Sequence, residues 1–205
     1  MGKIKLTKGE LKKQRDSLRQ YERYLPTLQL KKQQLQLEIL HQIGLLEERS
    51  LSLRAKERAA EAWLGLLAES GLDLKPNLLP ETISIGAKNI AGVDIPTFLR
   101  ADFIFAEYDL FVTPLWVDAT IESLRAMIAL REEVKVVERG IDILRHELRI
   151  TTQRVNLFEK VKIPEAKEAV RLIKIYLGDQ MSNAVGRSKM AKERIEESLL
   201  AGAAL

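Results

Sequence analysis

Apolar residues recur every seven positions through the first third of the chain. Leu11, Leu18, Leu25, Ile39, Leu46, Leu53, Ala60 and Leu67 share one line, broken only by Lys32. A partial second line, three residues on, carries Tyr21, Leu28, Leu35 and Trp63, with Gln14, Gln42, Arg49 and Lys56 between them. A sustained seven-residue repeat predicts a long helix in a left-handed coiled coil. The last part of the chain repeats the pattern with Val134, Ile141, Leu148 and Val155, partnered by Val137, Leu144 and Phe158. Two such helices joined by a short insert bury their seams by folding back on each other. The expected fold is mainly α: two long antiparallel helices in a left-handed coiled coil, with a small β-hairpin-containing insert between them.

Local signals set the expected boundaries. Thr7 and Glu10 form a capping box, and Gly71 after Ser70 suits a helix stop. At 1.5 Å per residue the first helix reaches roughly 95 Å, with a kink or local loosening near Tyr21 and Glu22 caused by Pro26 and the helix continuing beyond it. Residues 72–117 differ in character: Pro76, Pro80, Pro96 and Pro114 lie there, with every phenylalanine except Phe158. Ile83-Ser84-Ile85 and Val93-Asp94-Ile95 alternate apolar and polar around Gly86 and Asn89, which predicts a hairpin with a loop of several residues. Phe103 to Phe105 and Tyr108 to Val112 suit a further short strand or a docking segment. A lone hairpin is marginal in water, so its aromatics are expected to pin it to the helices. The second helix is expected to start at an Asp118 cap and run towards Leu200, roughly 120 Å, with a stutter between Ile128 and Val134 and soft points at Gly140 and Pro164. The expected divisions are residues 1–71, 72–117 and 118–205.

Composition narrows the function. The 205 residues include no cysteine, 30% charged side chains and only 5% aromatics. That aromatic content suits a core one seam wide, and the missing thiols exclude disulfides, thiolate metal sites and cysteine nucleophiles. A reducing cytoplasm fits. The N-terminus lacks the apolar run of a secretory signal, Leu6 breaks the myristoylation pattern after Gly2, and no stretch approaches a membrane span of about 20 apolar residues. The net charge of +4 hides a gradient: residues 1–32 hold ten Lys or Arg against three Asp or Glu, while residues 72–118 hold three against seven. The basic end is either a contact face for acidic partners or an ordinary solvated helix face.

Catalytic patterns are missing. His41 and His146 have no partner at metal-ligand spacing, Gly65 and Gly86 belong to no phosphate-cradling loop, and the pairs Glu47-Glu48 and Glu132-Glu133 point apart on a helix. The reading is a non-enzyme with no cofactor and no metal. Nucleic-acid binding is not expected either, because the basic residues surround the helix and no stacking platform accompanies them.

Three stretches together resemble the D subunit of the V-type, or archaeal-type, rotary ATPases. Lys88-Asn89-Ile90-Ala91-Gly92-Val93-Asp94-Ile95-Pro96 resembles the family's Lys-Asn-Ile-Met-Gly-Val-x-Val-Pro. Gln153-Arg154-Val155-Asn156-Leu157-Phe158-Glu159, followed by Lys162-Ile163-Pro164, resembles its Arg-Arg-Val-Asn-Ala-Leu-Glu block with the trailing Ile-Pro. The start at Thr7 with its basic helix is similar too, and Leu25-Pro26-Thr27 looks like the bacterial branch. Gln153, Leu157, Phe158 and Ala91 depart from the pattern.

The resemblance implies the non-catalytic central rotor axle, coupling ATP hydrolysis or synthesis to ion translocation. Both termini would lie inside a ring of catalytic and non-catalytic subunits (A and B). The insert would face the F subunit and a funnel-shaped adaptor on the membrane ring, so that membrane association runs only through partners, at the cytoplasmic face. Lys12, Lys13, Arg15 and Arg19 are the candidate ring contacts. Arg154 and Asn156 either clasp helix to helix or touch a partner. The hairpin candidates are Ile83, Ile85, Lys88, Asn89, Ile90, Gly92, Val93 and Pro96, with Asn89 to Gly92 shaping the turn through positive φ. The competing reading is a free-standing coiled-coil scaffold or tether.

Overall fold

The computed structural model describes residues 5–69, 74–104 and 114–202. In chain order it contains α1 (Lys8–Glu61), α2 (Leu64–Glu69), α3 (Lys75–Leu78), β1 (Pro80–Ile90), β2 (Val93–Phe103) and α4 (Trp116–Leu157). A π turn (Phe158–Lys162) leads directly into α5 (Ile163–Gly202). The chain divides into two compact units, residues 1–29 with 153–205, and residues 30–152.

Within the first unit, residues 8–29 of α1 run antiparallel to the end of α4 and to α5. Tyr21 stacks on Phe158 with ring centroids 5.3 Å apart, and Glu22 pairs with Lys167 at 3.4 Å. Leu11, Leu18, Leu25 and Leu28 are half-buried, and Val155, Ala166, Ala169, Val170 and Ile173 are buried. From Gly178 to Ser198 every residue of α5 is exposed.

Helix α1 starts with half a capping box. The Thr7 hydroxyl accepts from the Glu10 N–H at 3.2 Å, but the Glu10 carboxylate accepts from Gln14 Nε2 at 2.8 Å instead of reaching back. Pro26 sits inside an unbroken helix. At Pro164 the outcome is more specific than a soft point: the helix widens into the π turn, and Ile163 N–H donates to Phe158 O.

Within the second unit, residues 30–61 of α1 lie antiparallel to α4. Leu35 is fully buried, Ile39 and Leu144 join it, and Lys31 pairs with Glu147 at 2.9 Å. Gln42, a polar break in the second line, is buried and donates to Glu38 Oε1 at 2.8 Å. Arg49 Nε lies 3.0 Å from Glu133 Oε1, close enough for charge attraction. Its N–H is not aligned for a hydrogen bond and finds no hydrogen-bond acceptor among the described residues. Such pairs contribute about 1 kcal/mol or less each, so apolar burial dominates the seam.

Several boundaries differ from expectation. Helix α1 ends at Glu61, where a turn closes with Trp63 N–H donating to Ala60 O at 3.1 Å, and α2 follows. Helix α4 starts at Trp116, so Asp118 belongs to its first turn rather than capping it. The glycine stop expected at Ser70-Gly71 lies outside the described residues, as does the further strand or docking segment expected over Phe103 to Phe105 and Tyr108 to Val112, except for Phe103, which ends β2, and Ile104 after it.

The hairpin is longer, and its loop tighter, than the alternation suggested. Strands of 11 residues each pair antiparallel, with irregularities between Pro80 and Thr82 and between Ser84 and Ile85. The connection is two residues, Ala91 and Gly92, with φ of 52° and 77°, as in a type I′ turn, whose twist matches that of the strands. Gly86 and Asn89 therefore stand in β1, opposite Thr97 and Asp94.

Candidate functional site

The hairpin tip is the most organised candidate surface. Asn89 works through its side chain rather than through its own φ: Oδ1 accepts from Gly92 N–H at 3.2 Å, and Nδ2 donates to Asp94 Oδ1 at 2.6 Å. The left-handed positions are Ala91 and Gly92. Ile95, only 2% exposed, packs with Leu35, Ile39 and Leu144, and Ile90, Ala91 and Val93 pack against that cluster. The tip is thus pinned by aliphatic side chains; of the aromatics expected to pin the hairpin, Phe105, Tyr108 and Phe111 lie outside the described residues, and Phe103 stands at the far end of β2. Gly140 lies directly below: a Cβ built there would meet Ile95 Cβ and the Pro96 carbonyl oxygen at 3.9 Å.

Of the other hairpin candidates, Ile83 and Pro96 are half-buried, while Ile85, Lys88 and Asn89 are exposed. At the opposite end Arg125 of α4 holds the root. Its Nε donates to Asn77 O at 2.9 Å, its Nη2 donates to Ile104 O at 2.8 Å, and its guanidinium lies 5.6 Å from the Phe103 ring centroid.

The candidate ring contacts Lys12, Lys13, Arg15 and Arg19 all lie in the basic first turns of α1, and all four are exposed. Arg154 and Asn156 are exposed as well. Sequence reasoning missed a second basic group on the exposed part of α5. Arg187 and Arg194 flank Met190, Ala191 and Ile195 on one face, with Lys189 and Lys192 beside them. The run from Arg187 to Arg194 was the available signal.

It also missed an apolar line on the outer side of α1. Leu30, Leu37, Leu40 and Leu51 are each more than half exposed. Leu37 and Leu40 border a groove with Gln33, Gln36 and Leu148. Its flanks are glutamine-rich, in contrast to the basic start of the helix.

Among the described residues no cluster of His, Asp or Glu has the arrangement to hold a metal ion, and no described helix is long and apolar enough to cross a membrane. One resolved charge effect is local: hydrogen bonding to Arg171 holds the Glu168 carboxyl below its usual range, and Glu168 raises Arg171 in turn.

Antiparallel helical pairing around a docked two-stranded insert defines a class, mainly α proteins in which a small β-hairpin interrupts two long helical stretches. The family model for the D subunit of ATP synthase matches residues 10–193, and the chain belongs to that family. It is 45% identical over 195 residues to the V-type ATP synthase D subunit of Borreliella burgdorferi, covering 95% of this chain and 96% of that one. It is 32% identical over 199 residues to the V-type ATP synthase D subunit of Chlamydia trachomatis, with 95% and 97% covered. The corresponding Chlamydia pneumoniae protein is 33% identical over 195 residues, with 94% and 93% covered.

Proposed function

We propose that this chain is the central rotor axle of a V-type ATPase, non-catalytic itself, coupling ATP hydrolysis or synthesis in a ring of A and B subunits to ion translocation. The observation that carries the reading is the bare end of α5. A helix with Met181, Val185, Met190 and Ile195 exposed needs a surrounding surface, and a ring lumen supplies one. Lys12, Lys13, Arg15 and Arg19, joined by Arg187, Lys189, Lys192 and Arg194, then face the ring wall. Exposed, solvated cations suit a sliding contact, because fixed ion pairs would resist rotation. Arg154 and Asn156 are solvent-facing and available to the same wall.

The uncharged leucine line at Leu30, Leu37, Leu40 and Leu51 is assigned to the F subunit, whose binding would remove it from water. The hairpin, including Ile83, Ile85, Lys88, Asn89, Ile90, Gly92, Val93 and Pro96, is assigned to the membrane-facing end, where the funnel-shaped adaptor sits. Association with the cytoplasmic face of the membrane then runs through partners.

The test is reconstitution. Truncation after Gly178 removes the bare helix and leaves the paired part intact. The truncated chain should bind the F subunit normally, yet lose stable co-elution with the A and B ring and fail to support ion pumping. Full pumping by the truncated chain would sink the axle reading, and failure of the intact chain to join any ring would favour a free-standing scaffold.

A further inference from the structure

The hairpin is fastened to α4 at two separate places. At the tip, Ile95 and Pro96 lie against Gly140 and Leu144; at the root, Arg125 binds the carbonyls of Asn77, just before β1, and Ile104, just after β2. The two distances agree. From Arg125 to Leu144 along α4 is roughly 28 Å at helical rise. From Ile104 to Ile95 along β2 is roughly 30 Å at strand rise. The hairpin therefore lies along α4, held at both ends. The tip fastening is apolar and shared with Leu35 and Ile39 of α1. The root fastening is polar and belongs to α4, and its planar fork suits two carbonyls at once, with the Phe103 ring below the cation.

We propose that Arg125 is a positioning residue, a strap that fixes the hairpin root to α4 so that the strands and that helix move as one lever. The strap rests on geometry alone; its role in transmitting rotation rests on the axle reading above. Without it a two-stranded ribbon pinned at one end can swing about its tip, and a load applied along the hairpin is absorbed by bending instead of reaching α4.

Hydrogen exchange on the isolated full chain tests the strap. In Arg125→Met, amides of Thr82 to Ser84 and Arg100 to Phe103 should exchange at least about tenfold faster, the change expected for losing two charge-assisted hydrogen bonds and a cation–π contact. Amides of Lys88 to Ile90 and Val93 to Ile95 should keep their protection. Arg125→Lys should fall between, because one ammonium cannot fork to both carbonyls, and it keeps the test readable if the methionine variant does not fold. Unchanged root protection in both variants, or equal loss at root and tip, overturns the strap.

The second arm uses the reconstituted complex. Arg125→Met should retain ATP hydrolysis while the ions moved per ATP fall several-fold, with partial recovery in Arg125→Lys. A loosened root with an unchanged ion-to-ATP ratio overturns the lever. If the wild-type chain never joins the ring, the axle reading fails while the exchange result still judges the strap.

Discussion

Ile95→Ala separates hairpin docking from helix pairing. Ile95 is 2% exposed and meets Leu35, Ile39 and Leu144. The substitution removes three buried carbons, about 2.4 kcal/mol at roughly 0.8 kcal/mol per group, and the partly relaxed cavity brings the cost to about 3 kcal/mol. A two-stranded hairpin has little stability of its own, so this loss falls on docking. At tenfold per 1.4 kcal/mol, the undocked population should rise on the order of 100-fold. Hydrogen exchange reads this directly: amides across the pairs Lys88–Ile95 and Ile90–Val93 should exchange about 100-fold faster, while those of residues 8–29 and 163–173 stay unchanged. Leu144→Ala is the control. It removes a fully buried side chain shared by the hairpin and the helix pair, so it should loosen both β2 and residues 30–45. If Ile95→Ala lowered protection evenly over all helices, the hairpin would be a cooperative part of the coiled coil and the reasoning would fail. If protection at the tip did not change, the aliphatic docking would be irrelevant.

Gly140→Ala should stabilise the chain by about 1 kcal/mol in a thermal melt, since glycine costs that much in a helix interior and the added Cβ makes ordinary contacts at 3.9 Å. Gly140→Leu should instead cost about 1–3 kcal/mol by driving into Pro96. Ala91→Gly should strengthen tip protection by about 0.5–1 kcal/mol, because φ of 52° strains an L residue and glycine adopts it freely; weaker protection would show that the Ala91 methyl contact outweighs the strain. Glu168 has a lowered folded pKa through Arg171, so its contribution is present above the ordinary carboxylate pKa and is lost as pH falls through the lowered value. The pair is fully exposed, so Glu168→Gln should shift the neutral-pH melt only slightly, and the shift should vanish in acid and in high salt.

The helical pairing was legible because a one-seam core imposes strict spacing. Leu11, Leu18, Leu25, Ile39, Leu46, Leu53, Ala60 and Leu67 are all buried or half-buried, and even Lys32 on that line is half-buried. The hairpin's existence was legible from alternation, but its length was not. Residues Lys88 and Asn89 look like loop chemistry, yet they continue β1, because the turn demands only two left-handed positions and the ladder extends wherever pairing remains possible. Arg125 was illegible for a different reason. The hydrogen bonds it makes to Asn77 O and Ile104 O end on backbone carbonyls, which carry no side-chain signature, so no residue pattern marks them. The candidate contact residues divide similarly: exposure of Lys12, Lys13, Arg15 and Arg19 follows from the helical period, whereas the exposure of α5 beyond Gly178 depends on where α1 begins.

The π turn joins these threads. Before it, α4 buries Ile141, Leu144, Thr151 and Val155; after it, α5 buries Ala166, Ala169, Val170 and Ile173. Val155 and Ala166 are eleven positions apart, a spacing that in a regular α-helix turns the buried stripe towards a right-handed supercoil, against the seven-residue drift of the preceding turns. The wide turn at Phe158–Lys162 absorbs roughly one extra residue, which rotates the following stripe back in the left-handed sense. Pro164 makes that adjustment inexpensive. It has no N–H to give to the Lys160 carbonyl, so a regular turn there would already be missing one hydrogen bond. The proline that looks like a break in the sequence thus stands where the helix changes its winding. Phe158, at the start of the wide turn, remains directed at Tyr21 of α1, so the two helices stay in contact through the change.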